Sequence, residues 1–157
     1  MTDHARPLPA GKISAANSPW QAEVELQIQF FDLDPMEVVW HGRYIEYFEA
    51  ARSALLDQID YNYQAMKDSG YMWPVIDLQV RYSRPAVFRQ RIKVSAAIIE
   101  WENRLKMEYL VTDAASGKRL TRGFTTQVAV HIDSREMCFV SPPALWQQLG
   151  LTYPTPT

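Results

Sequence analysis

The feature that most constrains this chain is a change in the spacing of its apolar residues, from two to three-and-four and back to two. Ala22, Val24, Leu26, Ile28 and Phe30 alternate with Glu23, Glu25, Gln27 and Gln29, the pattern of a half-buried strand. Asp34-Pro35 ends it, because proline has no N–H for a ladder and restricts the residue before it. Ile45, Phe48, Ala51, Leu55 and Ile59 then recur at helical spacing opposite Arg43, Glu46, Ala50, Ser53 and Asp57, which predicts one amphipathic helix of four to five turns. Asn62 suits the N-cap of a shorter helix through Met66, and Gly70 sits where a left-handed C-terminal residue is wanted.

After Pro74 the period is two again as far as Ile132. The apolar sets are Ile76/Leu78/Val80/Tyr82, Ile92/Val94/Ala96/Ile98, Leu105/Met107/Tyr109/Val111 and Leu120/Phe124/Val128/Val130/Ile132. Turn chemistry at Ser83-Arg84-Pro85, Glu102-Asn103 and Ala114-Ala115-Ser116-Gly117 separates them. Leu145, Trp146 and Leu149 predict a short closing helix before Gly150. One strand, one long helix and four closely connected strands make an α+β chain whose sheet is mostly antiparallel and has a single long helix to cover. A five-stranded sheet curled around that helix is the natural solution.

The 157 residues, 47% of them apolar, are enough for one domain with its own core and no disulfide or metal. Residues 1–19 hold three prolines, one glycine and few large apolar groups and are expected to form a flexible arm, as are residues 151–157; the domain is expected over 20–150. The single cysteine, Cys138, excludes an internal disulfide and any multi-cysteine zinc site. A net charge of −2 argues against a general nucleic-acid binder. No apolar run approaches the roughly 20 residues of a membrane span, and the first residues have no signal-peptide core, so a cytoplasmic protein is expected.

The nucleophile-elbow, phosphate-loop, zincin and dinucleotide signatures are all missing. The chemically dense stretch is Asp32-Leu33-Asp34-Pro35-Met36-Glu37-Val38-Val39-Trp40-His41-Gly42-Arg43, between a strand end and a helix start. A helix N-terminus offers unpaired N–H groups and partial positive charge, which stabilise an oxygen on which negative charge develops. Gly42 would let a substrate approach that backbone closely. Asp32, Glu37 and His41 do not make a convincing metal set, and no metal or cofactor is expected. Glu49 and Arg52, three apart on one helix, are expected to form a surface or interface ion pair. Arg89, Arg91 and Lys93 alternate along a strand, and Arg81 shares the outward parity of its own strand; if those strands pair, the four make a basic patch suited to the phosphates of a ligand or to an acidic surface.

The stretch FDLDPMEVVWHGRYIEYFEAAR resembles the 4-hydroxybenzoyl-CoA thioesterase-like branch of the hot-dog superfamily. The resemblance is carried by Asp32, Asp34, Val38, Val39, Trp40, His41, Tyr44, Phe48, Glu49, Ala51 and Arg52, and the order of elements agrees over about residues 22–140. It implies a five-stranded antiparallel sheet wrapped around a long helix, assembled as homodimers or homotetramers, that cleaves acyl-CoA or acyl-carrier-protein thioesters without a cofactor. It also implies Asp34 as nucleophile or general base, the His41 N–H as the group that polarises the thioester carbonyl, and the Gly42 N–H as its helper. Arg43 stands where relatives commonly have Asn, Met36-Glu37 where many have Ala-Gly, and Phe88-Arg89-Gln90-Arg91 where many have an acidic turn. Substrate contacts are expected from Trp40, Arg43 and Tyr44 at the helix start and from Arg89 and Arg91. A non-catalytic acyl-thioester-binding or assembly subunit is the alternative, and a hot-dog dehydratase using His41 as its base is a third reading.

Overall fold

The computed structural model describes residues 11–154. Its elements are β1 (Gln21–Gln27), α1 (Tyr44–Gln58), α2 (Tyr63–Asp68), β2 (Tyr71–Met72), β3 (Val75–Tyr82), β4 (Arg91–Glu100), β5 (Leu105–Asp113), β6 (Arg119–Gln127), β7 (Val130–His131) and α3 (Pro143–Gln148), with 3-10 turns at Phe30–Asp32 and His41–Arg43. Five strands pair antiparallel in the order β1-β4-β5-β6-β3, and α1 packs chiefly on β1, β4 and β5. This is the expected hot-dog arrangement. No helix among the described residues is long and apolar enough to cross a membrane.

The core forms where the helical and strand periods meet. Ile92, Val94, Ala96 and Ile98 of β4, and Leu105, Met107, Tyr109 and Val111 of β5, point inward at alternate positions and are buried. The helix buries Tyr44, Tyr47, Phe48, Ala51, Leu55 and Leu56 against them, while Ile45, expected on the apolar face, is exposed. The helical face is rotated toward Tyr44 and Tyr47 because these larger rings cover more apolar surface. In the row Val80–Gly123–Tyr109–Ala96, small residues flank Tyr109, and the Phe48 ring stacks on the tyrosine at 4.6 Å and 13°.

Burial raises the phenol pKa of Tyr109, Tyr44 and Tyr47, and at Tyr47 the nearby Asp32 charge adds to it. With folded values above the unfolded value of about 10, the folded state keeps protons that the unfolded state releases. Stability is therefore expected to be full below about pH 10 and to fall as pH rises through the folded values. A tyrosinate absorbance titration should show these rings ionising in one cooperative step with unfolding; smooth ionisation in the folded protein would contradict their burial.

Several expectations change. Phe30 is exposed rather than facing the core, because the Asp32 carboxylate accepts the Gln29 N–H at 2.7 Å and closes a tight turn where the strand was expected to run on. The last predicted strand is two: β6 ends at Gln127, and Val130–His131 pairs with β2 instead. The Glu49–Arg52 ion pair is present at 3.9 Å, but its arginine is buried rather than on the surface, its guanidinium donating to the hydroxyls of Tyr63 (2.9 Å) and Tyr109 (3.4 Å). The four-residue basic patch does not form, because β5 and β6 lie between Arg81 on β3 and Arg91 and Lys93 on β4, and Lys93 has Glu23 at 3.9 Å.

Of the expected arm, residues 1–10 lie outside the described residues, whereas Ile13 donates its N–H to Ile99 (2.9 Å), Ser18 is buried and Trp20 packs edge-on against Trp101. Apolar partners on β4 and the loop after it hold this part. Of the tail, residues 155–157 lie outside the described residues; the Leu151 N–H reaches Trp146, and Tyr153 packs edge-on against the Trp146 ring.

Candidate active site

The loop between β1 and α1 is built by its own carboxylates. Asp32 is buried, bonded to the Gln29 N–H and paired with Arg43 Nε at 3.0 Å, and its backbone carbonyl accepts the Trp40 N–H at 2.9 Å. Asp34 Oδ1 accepts the N–H groups of Met36 (2.8 Å) and Val38 (3.4 Å), while the backbone of Asp34 closes a turn with Glu37 and pairs with Val38. One carboxylate oxygen of Asp34 therefore shapes the turn. Oδ2 has no partner among the described residues. Glu37, in the place of a common glycine, takes a left-handed φ of 64° in this turn.

The chain then enters α1 through the 3-10 turn His41–Arg43. The N–H groups of His41 and Gly42 have no acceptor among the described residues, the state expected at a helix start. Asp34 and His41 line one cleft of about 300 Å³ with Val38, Val39, Tyr44, Tyr82, Ser83, Arg84 and Pro85. The structure thus brings a carboxylate with a free oxygen and the first residue of the helix-start turn, His41, to one depression, with Gly42 next along the chain.

The expected substrate residues divide. Tyr44 is buried in the wall of the cleft and stacks edge-on with Tyr82 at 5.4 Å. Trp40 is half exposed outside the lining, and its ring lies over Gly42, where an added Cβ would meet it at 2.4 Å. Gly42 is needed for this packing, because the indole occupies the side of its Cα on which a Cβ would stand. Arg43 is not in the lining either: its guanidinium is taken by Asp32, by both Glu46 oxygens (2.8 and 2.9 Å) and by the Phe31 carbonyl (2.9 Å). Arg89 sits in the turn before β4 with φ 67° and donates its N–H to Ile28, and Arg91 opens β4; neither lines the cleft.

Sequence reasoning missed Tyr82, Ser83, Arg84 and Pro85. They read only as a strand end and a turn, and nothing in a segment some fifty residues from Asp34 signals that the sheet returns it to the helix start. The Ser83 and Arg84 N–H groups both bond the Leu120 carbonyl (2.9 and 3.0 Å), which fixes the segment at the rim.

The profile of the thioesterase-like superfamily matches residues 28–149. The chain belongs to that superfamily. It is similar to a protein provisionally named acyl-CoA thioesterase YneP of Bacillus subtilis strain 168, 30% identical over 61 residues that cover 39% of this chain and 44% of that relative. The match to YneP thus spans less than half of YneP's length. A provisionally named esterase of Synechocystis, sll0410, is 25% identical over 139 residues, 88% of this chain and 83% of the relative. Among solved structures, a 1,4-dihydroxy-2-naphthoyl-CoA thioesterase from Synechocystis superposes with a TM-score of 0.74 at 20% identity, covering 83% of this chain and 96% of that one.

Proposed function

We propose that this protein hydrolyses a small-to-medium acyl or aroyl thioester, carried on coenzyme A or a carrier protein, to the free acid and thiol. The observation that carries the reading is the cleft in which Asp34, with one oxygen unbonded, meets the turn whose His41 and Gly42 N–H groups lack acceptors. Membership of the thioesterase-like superfamily supports it. The Asp34 carboxylate takes a proton from a water whose oxygen attacks the carbonyl carbon, or attacks that carbon itself to give an anhydride that water then opens. In both routes the carbonyl oxygen gains negative charge facing the free N–H groups, the C–S bond breaks and the sulfur leaves as thiolate. A thiolate is a good leaving group, so the scheme needs no metal. Thiol release from a panel of short, medium, long and aromatic acyl-CoA thioesters tests it; binding without turnover would favour the non-catalytic alternative.

The active form is proposed to be a homo-oligomer built on β3. This strand is a sheet edge with Val75, Ile76, Leu78 and Tyr82 all exposed, although the period-two pattern marks it for burial. An apolar edge strand is a template for strand addition, and a second copy of the chain supplies the matching edge. Ile76→Lys/Leu78→Lys is expected to convert the dimer to a monomer in light scattering and to lower turnover at least about tenfold, because the end of β3 lines the cleft. A wild-type monomer would sink the assembly reading.

A further inference from the structure

We propose that Tyr82 is a positioning residue for the oxyanion site: its hydroxyl holds the His41–Gly42 peptide so that the Gly42 N–H is fixed and polarised toward the substrate carbonyl. The inference rests on the proposed hydrolase reading of the cleft and adds a residue that touches neither the water nor the breaking bond. The Tyr82 hydroxyl donates to the His41 carbonyl at 2.6 Å, across 41 residues of sequence. The His41 carbonyl and the Gly42 N–H belong to one peptide unit. That unit is planar and trans, so anchoring its oxygen fixes the direction of its N–H. A hydrogen bond at the carbonyl also withdraws electron density from the nitrogen and strengthens the N–H as a donor.

The turn needs such a tie. The first turn of a helix is held by the fewest internal bonds, and a 3-10 start is looser still. Trp40, at its N-cap, gives no side-chain cap, and neither does Arg43 at the start of α1. Tyr82 supplies from the sheet what the local sequence omits. The ring is itself held, edge-on to the buried Tyr44, and as the last residue of β3 it pairs in register with Thr121. Partial burial raises its phenol pKa, so the hydroxyl keeps its proton in the neutral range.

Tyr82→Phe keeps the ring and its contact with Tyr44 and deletes only the donor. Steady-state kinetics on the acyl-CoA panel should give kcat about tenfold lower with KM within about twofold, a loss confined to the transition state. The thermal midpoint should be unchanged, and the backbone ¹⁵N resonance of Gly42 should move upfield as its peptide carbonyl loses the bond. A kcat within twofold of wild type, or a loss of kcat accompanied by a lower thermal midpoint and an unmoved Gly42 resonance, overturns the positioning role. Asp34→Asn run alongside separates the two ideas: turnover lost there but kept in Tyr82→Phe removes only Tyr82's role, whereas a wild type without turnover removes both.

Discussion

Asp34→Asn is expected to lower kcat for thioester hydrolysis by about 10²–10⁴-fold while leaving the protein folded. The separation of these effects follows from how the two carboxylate oxygens are used. Oδ1 holds the turn by accepting the Met36 and Val38 N–H groups, and an asparagine carbonyl accepts the same bonds. The free oxygen is the one that changes. An amide at that point neither takes a proton from water nor attacks a carbonyl carbon, and it carries no negative charge. On the proposed reading the substrate rests on the cleft walls at Tyr44, Tyr82 and Pro85, which the substitution leaves alone, so KM should change far less than kcat. Thiol release monitored for wild type and variant, with circular dichroism confirming the fold, decides the matter. Turnover within a few-fold of wild type would leave Asp34 a turn residue and nothing more.

The largest expected loss of stability is at Gly123→Ala, about 2–3 kcal/mol. A Cβ built on Gly123 meets the Phe48 ring at 2.3 and 2.5 Å and the Gln79 backbone oxygen at 2.8 Å. The ring has no room to retreat, because Phe48 is fully buried and stacked on Tyr109, whose hydroxyl is tied to Thr125 at 2.6 Å. The backbone oxygen belongs to the paired strand β3 and moves only if the ladder does. For a chain of this length the loss corresponds to a thermal midpoint roughly 4–12 °C lower. Phe48→Leu in the same background should be less harmful than the sum of the two changes, since the smaller side chain frees part of the space. A midpoint for Gly123→Ala within 1 °C of wild type would mean that the Phe48 ring does not lie against Gly123 as described.

Much of this architecture is legible in the sequence, because alternation and helical spacing record which face of each element must leave water. β1, α1, β4 and β5 fall where Val24, Phe48, Val94 and Tyr109 place them. The Asn62 cap is present, its side chain accepting the Ala65 N–H at 2.9 Å, and Gly70 has the left-handed φ of 96°. Local hydrogen-bond chemistry sets both. The errors arose where a side chain's partner lies far along the chain. Arg52 looks like a surface charge beside Glu49 until Tyr63 and Tyr109 are folded over it. Ile76 and Leu78 look like core until the strand order leaves β3 at an edge.

At the site the division is equally physical. Asp34, His41 and Gly42 are neighbours in sequence, and the proline turn and helix start that carry them are local events, so their placement is readable from one short stretch. Strand order is not local: it depends on which edges pair once the sheet curls. That order separates Arg81 from Arg91 and brings Tyr82, Ser83, Arg84 and Pro85 to the helix start. The spacing of apolar residues within each segment was enough for β1, α1, β4 and β5, and the Asp34 turn and the helix start follow from residues a few positions apart. Which strand closes the cleft, and which charges are already paired within the scaffold, emerges from the folded arrangement, because both depend on contacts between segments whose spacing in the chain carries no record of their meeting.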